Sequence, residues 1–546
     1  MESAAAAQQV PRRRRAAALL HRIDLDLVAK VGFFALLAVA VVGFFVYPTY
    51  PNYDSYYSLL WGRELLAFQQ LSFEAYRAPT EHPLAIVFSA VLIPFGESAD
   101  RIMIFITLLS MVAVVAGVYR LSRVAFTPLV GLAAAFLMAT RFDFPFLAVR
   151  GYIDVPYIAL VLWAAVLEYE RPRRGWPVFV LLALAGMMRP EAWPLAALYF
   201  VWMSFGPEAK RLVGRWWNRG EATTGPSTEA GSEPGREPLW QPRWGEWATW
   251  AALAAIGPVV WAATDFAVTG NPLYSLTSTQ DLAGELGRQR SLADVPAALP
   301  TFFGRLVKLP VVIAAIIGLG LGAWFVPRRI VMPALLLLTG IGTFAAVGLA
   351  GLSVIDRYLI VAAVALVIFG GLAIGGFTLL APGTRARRVW ASGSGIAVVF
   401  ALVFTVTHPP SLTGFNDELR WRSESHDSLV ALLASPEVQD RVDAGCGPVS
   451  TPSHKIIPDV RWLLDLDQDE VVARSDPSAR APATPPSVGP GREREGIALY
   501  VQGGRRTVQR QGFASNTEPL TQVPPPGFAR IKTTEYYSAY ANCAGG

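Results

Sequence analysis

Apolar residues along this chain come in long blocks separated by short polar breaks, and the blocks dictate the architecture. A hydrocarbon core of roughly 30 Å, climbed at about 1.5 Å per residue, calls for about 20 apolar residues in a helix. Segments at 28–47, 83–95, 102–119, 128–142, 154–168, 177–188, 191–205, 247–267, 309–326, 330–350, 358–381 and 389–407 have this character, twelve in all. The pattern predicts an α-helical polytopic membrane protein. The segment Pro83–Phe95 has only thirteen residues and, counted as a full crossing, reverses every later loop, so it reads as re-entrant or interfacial. Eleven crossings then remain.

The polar breaks orient the spans. Arg12, Arg13, Arg14, Arg15 and Arg22 precede the first block, and further cations cluster at Arg120 with Arg123, at Arg171 to Arg174, at Lys210 to Arg219, at Arg328 with Arg329 and at Arg385 to Arg388. Lys and Arg concentrate in cytoplasmic loops, and all these groups fit one alternating topology in a plasma membrane. Residues 1–27 form a basic cytoplasmic N-terminus. The first span is uncleaved, because Phe45-Val46-Tyr47-Pro48-Thr49 offers no small-residue cleavage site. Segments 48–82, 143–153, 189–191, 269–308 and 351–357 then face outside, as does everything after Thr407. The cytoplasmic loop 206–246 is rich in Gly, Glu, Ser, Thr and Pro and reads as disordered.

Composition agrees: 53% of the 546 residues are hydrophobic and 16% charged, against about 25% charged in a soluble domain. The net charge of +5 is accounted for by the cytoplasmic loops, and no nucleic-acid partner is implied. After the transmembrane domain, 28–407, residues 408–546 have ordinary polarity and read as a soluble α/β extracytoplasmic domain. Ser425–Ala434 has helical spacing, Gly447–Ser450 and Ile497–Gln502 resemble strands, and Pro477–Pro490 is an insertion. Cys446 and Cys543, the two cysteines, both fall there; an oxidising compartment favours a disulfide over two buried thiols.

In a chain so short of charge, ionisable residues at helix mouths are the informative ones. Five groups fall on the outer side: Tyr53-Asp54-Ser55; Glu81-His82-Pro83; Arg150 with Asp154; Arg189 with Glu191; and Asp356-Arg357-Tyr358. Each has a plain structural reading, as helix cap or ion pair. Together they describe a cavity that binds an anionic headgroup and abstracts a proton, since an Arg fork suits phosphate oxygens and a carboxylate accepts a proton. The amphipathic stretch Tyr56–Phe68 beside them helps admit a lipid tail.

The order of Tyr53-Asp54-Ser55, His82-Pro83-Leu84, Arg150 to Asp154, Gly186 to Glu191 and Asp356-Arg357-Tyr358-Leu359 resembles the GT-C superfamily of membrane glycosyltransferases, in particular its protein O-mannosyltransferase and aminoarabinose transferase branches. The likeness covers about the first 410 residues, and an extracytoplasmic C-terminal domain recurs in the superfamily. It implies that Asp54 is the catalytic base, that Arg357 and Arg189 bind the phosphate of a polyprenyl-phosphate sugar, and that Asp154 orients the acceptor or contacts a metal. Tyr53, Glu81, His82, Arg150, Glu191 and Tyr358 line the substrate site on this reading. No cofactor is required; a divalent metal is compatible with Asp54 and Asp154. The sequence departs from both branches at Glu81-His82-Pro83-Leu84, with neither a second proline nor a lysine, and Trp216-Trp217-Asn218 is not the oligosaccharyltransferase signature. The sugar, a hexosyl or pentosyl group such as mannose or arabinose, and the acceptor stay open.

The expectation is an inverting glycosyltransferase moving a sugar from a polyprenyl-phosphate donor to a hydroxyl of a glycan, lipid or protein outside the membrane. The alternatives are a transporter or flippase of lipid-linked sugars and a non-catalytic cell-envelope assembly subunit. Transporters, however, hold their charges near the midplane of repeated halves.

Overall fold

The structure is a computed structural model, describing residues 24–47, 49–141, 143–217, 244–289, 291–407, 412–476, 495–502, 524 and 526–543. The basic N-terminus, the centre of the 206–246 loop and the Pro477–Pro490 insertion lie outside the described residues. Each apolar block becomes a helix. Asp24 caps α1 (Leu25–Val46) by accepting from the backbone N–H groups of Asp26 and Leu27, and no residue of that helix is buried. Helix α2 (Tyr53–Leu66) is buried over nine of its residues. Then come α3 (Pro83–Leu92) and α4 (Ala99–Ala125), separated by a 3-10 turn in which Gly96 breaks the helical path. Ten residues reach about 15 Å, half the hydrocarbon core, so α3 alone does not cross.

The bundle continues through α5 (Pro128–Ala139), α6 (Asp143–Val149), α7 (Asp154–Glu170), α8 (Trp176–Met188), α9 (Trp193–Trp217) and α10 (Trp244–Thr269). Helix α9 corrects the expected start of the polar loop at Gly206: the helix runs on to Trp217, through the good helix formers Glu208 to Arg211. Residues 269–308 carry α11 (Tyr274–Glu285) and α12 (Val295–Leu306). Helices α13 (Leu309–Phe325), α14 (Val331–Leu349), α15 (Ile360–Gly375) and α16 (Arg385–Thr407) complete the bundle. Among the described residues, five helices are long and apolar enough to cross a membrane, or seven if each of two bent pairs makes one span. This is a multi-pass membrane protein.

Helix α15 is the axis of the bundle, buried over fourteen of its sixteen residues. Apolar side chains gain little from meeting each other in lipid, so close approach through small residues holds such helices together. Gly318 of α13 shows how close: a Cβ there would lie 2.0 Å from the Phe369 carbonyl oxygen. Gly318→Ala therefore forces backbone apart and is expected to cost about 1–3 kcal/mol. A lowered thermal unfolding midpoint checks this; an unchanged one refutes it.

The tail holds α17 (Leu412–Leu433), α18 (Pro436–Asp443) and α19 (Ile457–Leu463) around strands β1 (Val449–Thr451), β2 (Val471–Ala473), β3 (Gly496–Val501), β4 (Ala529–Thr533) and β5 (Tyr537–Asn542). The sheet order is β2-β1-β3-β5-β4, with β1 parallel to β2 and β3, and β5 antiparallel to β3 and β4. It is a small α/β domain, as expected. A disulfide joins Cys446 to Cys543.

The tail docks on α2 and the segment after it through polar contacts, buried around Arg461 and exposed at Asp465. Arg461 of α19 donates to Glu64 Oε1 at 2.7 Å and to Ser72 Oγ at 3.1 Å, and Glu64 also accepts from the Ser72 backbone N–H and hydroxyl, each at 2.8 Å. Arg63 pairs with Asp465 and donates to the Leu466 carbonyl at 3.0 Å. Around the start of α2, the His426 ring stacks on Tyr50, just ahead of the helix, with centroids 3.9 Å apart and meets the Tyr56 hydroxyl at 3.2 Å.

Candidate active site

Asp54 lies in the first turn of α2, where an acid often serves as cap, but the cap is Asn52. Its side chain accepts from the backbone N–H of Asp54 at 2.8 Å and of Ser55 at 3.4 Å. The Asp54 carboxylate is thereby left for Arg357. The turn at Arg150 and Gly151 braces this helix start: Asn52 donates to the Arg150 carbonyl from backbone and side chain, and Ser55 Oγ donates to the Gly151 carbonyl at 2.7 Å. Gly151 has φ +70°, a conformation that other side chains rarely adopt.

From Asp54 a ladder of alternating charge runs inward. Arg357, at the entrance to α15, donates to Asp54 Oδ2 at 3.2 Å and lies 3.6 Å from Asp154 Oδ2. Arg189, between α8 and α9, pairs with the other oxygen of Asp154. Through Nε and Nη2 it also grips Glu191 Oε1 at 3.0 and 2.6 Å. Aromatic faces line the ladder: Tyr152 lies against Arg357 and Tyr358 against Arg189, with guanidinium carbons 5.2 and 5.3 Å from the ring centroids.

Burial grades the ladder from end to end. The Asp154 side chain is fully buried, those of Arg189 and Glu191 are nearly so, while Asp54 is 21% and Arg357 30% exposed. The open end is therefore Asp54 with Arg357. Burial alone would raise the Asp54 carboxyl, but Arg357, His82 and Lys455 together outweigh it and hold the group below the usual range. At neutral pH it is ionised and tied to Arg357.

Other residues expected in the site are placed around this ladder. His82 starts α3 with its ring edge-on to Trp261, centroids 5.6 Å apart, and its Nδ1 has no hydrogen-bond partner. Burial first, then Arg189, lowers the imidazole to about 4, so it is neutral at physiological pH. The Tyr53 hydroxyl donates to the Arg77 carbonyl at 2.8 Å. Arg150 is stacked on Tyr50 at 3.7 Å behind the start of α2, and Glu81 faces Ser275 rather than the ladder.

Two cations near Asp54 had no distinguishing signal in the sequence. Arg288, just past α11, donates to Ser353 Oγ at 3.5 Å and feels the charges of both Arg357 and Asp54. Lys455 comes from the tail, with its ammonium 5.3 Å from the Tyr53 ring centroid. Arg357 bridges Asp54 and Asp154, and among the described residues no three His, Cys, Asp or Glu side chains gather as metal ligands. The ladder as it stands does not fit a divalent ion.

A membrane-embedded helical bundle with an ionic ladder under an α/β tail defines the class. No family model and no curated protein matches the sequence. Among solved structures the chain is similar to ArnT from Cupriavidus metallidurans bound to undecaprenyl phosphate, at 13% identity and a TM-score of 0.53 over 94% of this chain and 98% of that one. It is also similar to the oligosaccharyltransferase of Archaeoglobus fulgidus tethered to an acceptor peptide containing the NVT sequon, at 13% identity and a TM-score of 0.46 over 94% and 74% of the two chains. At that identity the likeness to ArnT is one of fold.

Proposed function

We propose that this protein is an inverting glycosyltransferase that moves a sugar from a polyprenyl-phosphate donor to an acceptor hydroxyl at the extracytoplasmic face of the plasma membrane. The observation that carries the reading is the partly exposed Asp54–Arg357 pair at the open end of an otherwise buried ladder. The GT-C fold, seen also in an ArnT structure that holds undecaprenyl phosphate, supports it.

Donor placement follows from an apolar cavity of about 490 Å³ between α3, α4, α7 and α8, lined by Leu84, Phe88, Pro156, Trp163, Leu181 and Met188 among others. Three of these stand within two positions of site residues: Leu84 after His82-Pro83, Pro156 two beyond Asp154, and Met188 before Arg189. On this reading the prenyl tail occupies this cavity and its phosphate meets Arg357, with Arg288 and Lys455 as further cations near Asp54. Arg189, already held by Asp154 and Glu191, keeps the buried carboxylates paired.

When the phosphate engages Arg357, Asp54 loses its main counter-charge and its proton affinity rises, which suits a general base. Asp54 takes the proton of the acceptor hydroxyl as its oxygen attacks the anomeric carbon. The carbon–phosphate-oxygen bond breaks, and the prenyl phosphate departs with the electron pair. Negative charge grows on that phosphate, so cations aimed there stabilise the transition state more than the ground state. A single displacement inverts the anomeric centre.

The test is to incubate purified protein with labelled polyprenyl-phosphate sugars and candidate acceptors. Acceptor-dependent release of polyprenyl phosphate supports the reading. Movement of intact donor across vesicle membranes without cleavage replaces it with a transporter.

A further inference from the structure

Behind His82, away from the ladder, three segments meet on one hydroxyl. Ser275 Oγ, in the first turn of α11, lies 2.7 Å from Glu81 Oε2 and 2.7 Å from Asp265 Oδ1, and accepts from Trp261 Nε1 at 2.8 Å. The Ser275 backbone N–H donates to the second oxygen of Asp265 at 2.9 Å. Glu81 and Asp265 are each 1% exposed, and among the described residues neither has a cationic partner.

A serine hydroxyl has one hydrogen and two lone pairs. One lone pair takes the Trp261 N–H, and the single hydrogen serves one carboxylate. The other carboxyl lies at hydrogen-bonding distance only if it carries a proton and donates it to the remaining lone pair. With both groups ionised, one 2.7 Å contact would oppose two oxygens with no hydrogen between them, in a buried place where such a defect is costly.

We infer that Glu81 and Asp265 share one proton across the Ser275 hydroxyl, and that this proton seats α11 and positions Arg288, the cation just beyond its C-terminus. The latch joins the outer loop before α3 to the end of α10 and the start of α11. Other groups that face it are Tyr274 on α11, with Glu74 nearby, and the neutral His82 next in sequence to Glu81. The rest of α11 is held by the Thr80–Thr279 hydroxyl pair at 2.7 Å, by Gln280 donating to the Ala350 carbonyl at 2.6 Å, and by Arg77 with Glu285 at 3.1 Å. Burial, against the Ser275 hydrogen bond, pushes the Glu81 carboxyl up to about 7, consistent with a retained proton.

The sign follows from that direction. A carboxyl raised in the closed arrangement stabilises it at low pH, and the stabilisation is lost as pH rises through the raised value. Two carboxylates then compete for one hydrogen, and like charges in a buried site repel.

Hydrogen exchange of the full-length chain in detergent, followed by mass spectrometry from about pH 4.5 to about pH 8, reads the latch without reference to any transfer activity. Protection of residues 274–285, corrected for intrinsic exchange, is expected to fall in the wild type by up to about tenfold per pH unit between the ordinary carboxylate range and about 7, and to level off above it. Glu81→Gln and Asp265→Asn each put a neutral amide where the shared proton sits, and each is expected to keep that protection constant over the range. If one variant fails to fold, the other carries the test. Wild-type protection that does not change with pH, or amide variants that lose it as the wild type does, overturns the inference. Because the readout is exchange, glycosyl transfer failing to appear would leave it standing.

Discussion

Asp54→Asn is expected to lower kcat/KM for transfer by about 10²–10⁴-fold, the range that a general base contributes. The asparagine keeps an oxygen for Arg357 to donate to, and Arg357 keeps Asp154 at 3.6 Å, so the ladder closes without the charge. Binding of undecaprenyl phosphate, whose phosphate is proposed to meet Arg357, should hold or tighten, since the competing carboxylate is gone. Loss in the chemical step with binding preserved marks an interaction made in the transition state. Titration with undecaprenyl phosphate and single-turnover transfer separate the two. A variant with near-normal turnover would sink Asp54 as the base, whatever its effect on binding.

The largest expected effect on stability is at Arg461. It is 1% exposed and stands between Glu64 and Ser72, so Arg461→Met leaves the Glu64 carboxylate buried without its cation. Breaking one side of such a pair costs about 3–5 kcal/mol. The loss falls on the seam between tail and bundle, and early protease cleavage between α16 and β1 should accompany a lowered unfolding midpoint. Glu64 is ten residues from Asp54 on α2, so transfer should weaken as well. The double variant Glu64→Leu with Arg461→Met removes both charges and is expected to recover most of the stability. If the double variant is no more stable than Arg461→Met, packing rather than the ion pair holds the seam.

Periodicity and length made the helical bundle readable, because spans have to be long and apolar wherever they stand. Ten-residue α3 was readable for the same reason, as a block too short to cross. The ladder was a different matter. Asp54 and Arg357 are 303 positions apart, and their pairing depends on how α2 and α15 meet, which no local pattern records. Their proximity entered through resemblance to GT-C sequences. Lys455 and Arg288 had no such motif. Asp265 does carry a signal in the sequence: an acid inside the apolar block 247–267, where an ionisable side chain has to have a partner. In the tail, β1 and β3 were legible as short apolar runs between turns. Strand β2 has only three residues, and β4 carries a register shift between Arg530 and Lys532 that disrupts its alternation.

The Cys446–Cys543 bridge encloses β1, α19, β2 and the three later strands in one covalent ring of the chain. A ring cut once remains one piece. A single proteolytic nick between β2 and β3 would therefore leave the tail on the membrane domain, visible as two fragments on a reducing gel and as one band on a non-reducing gel. Releasing the distal half takes a second cut or a reductant.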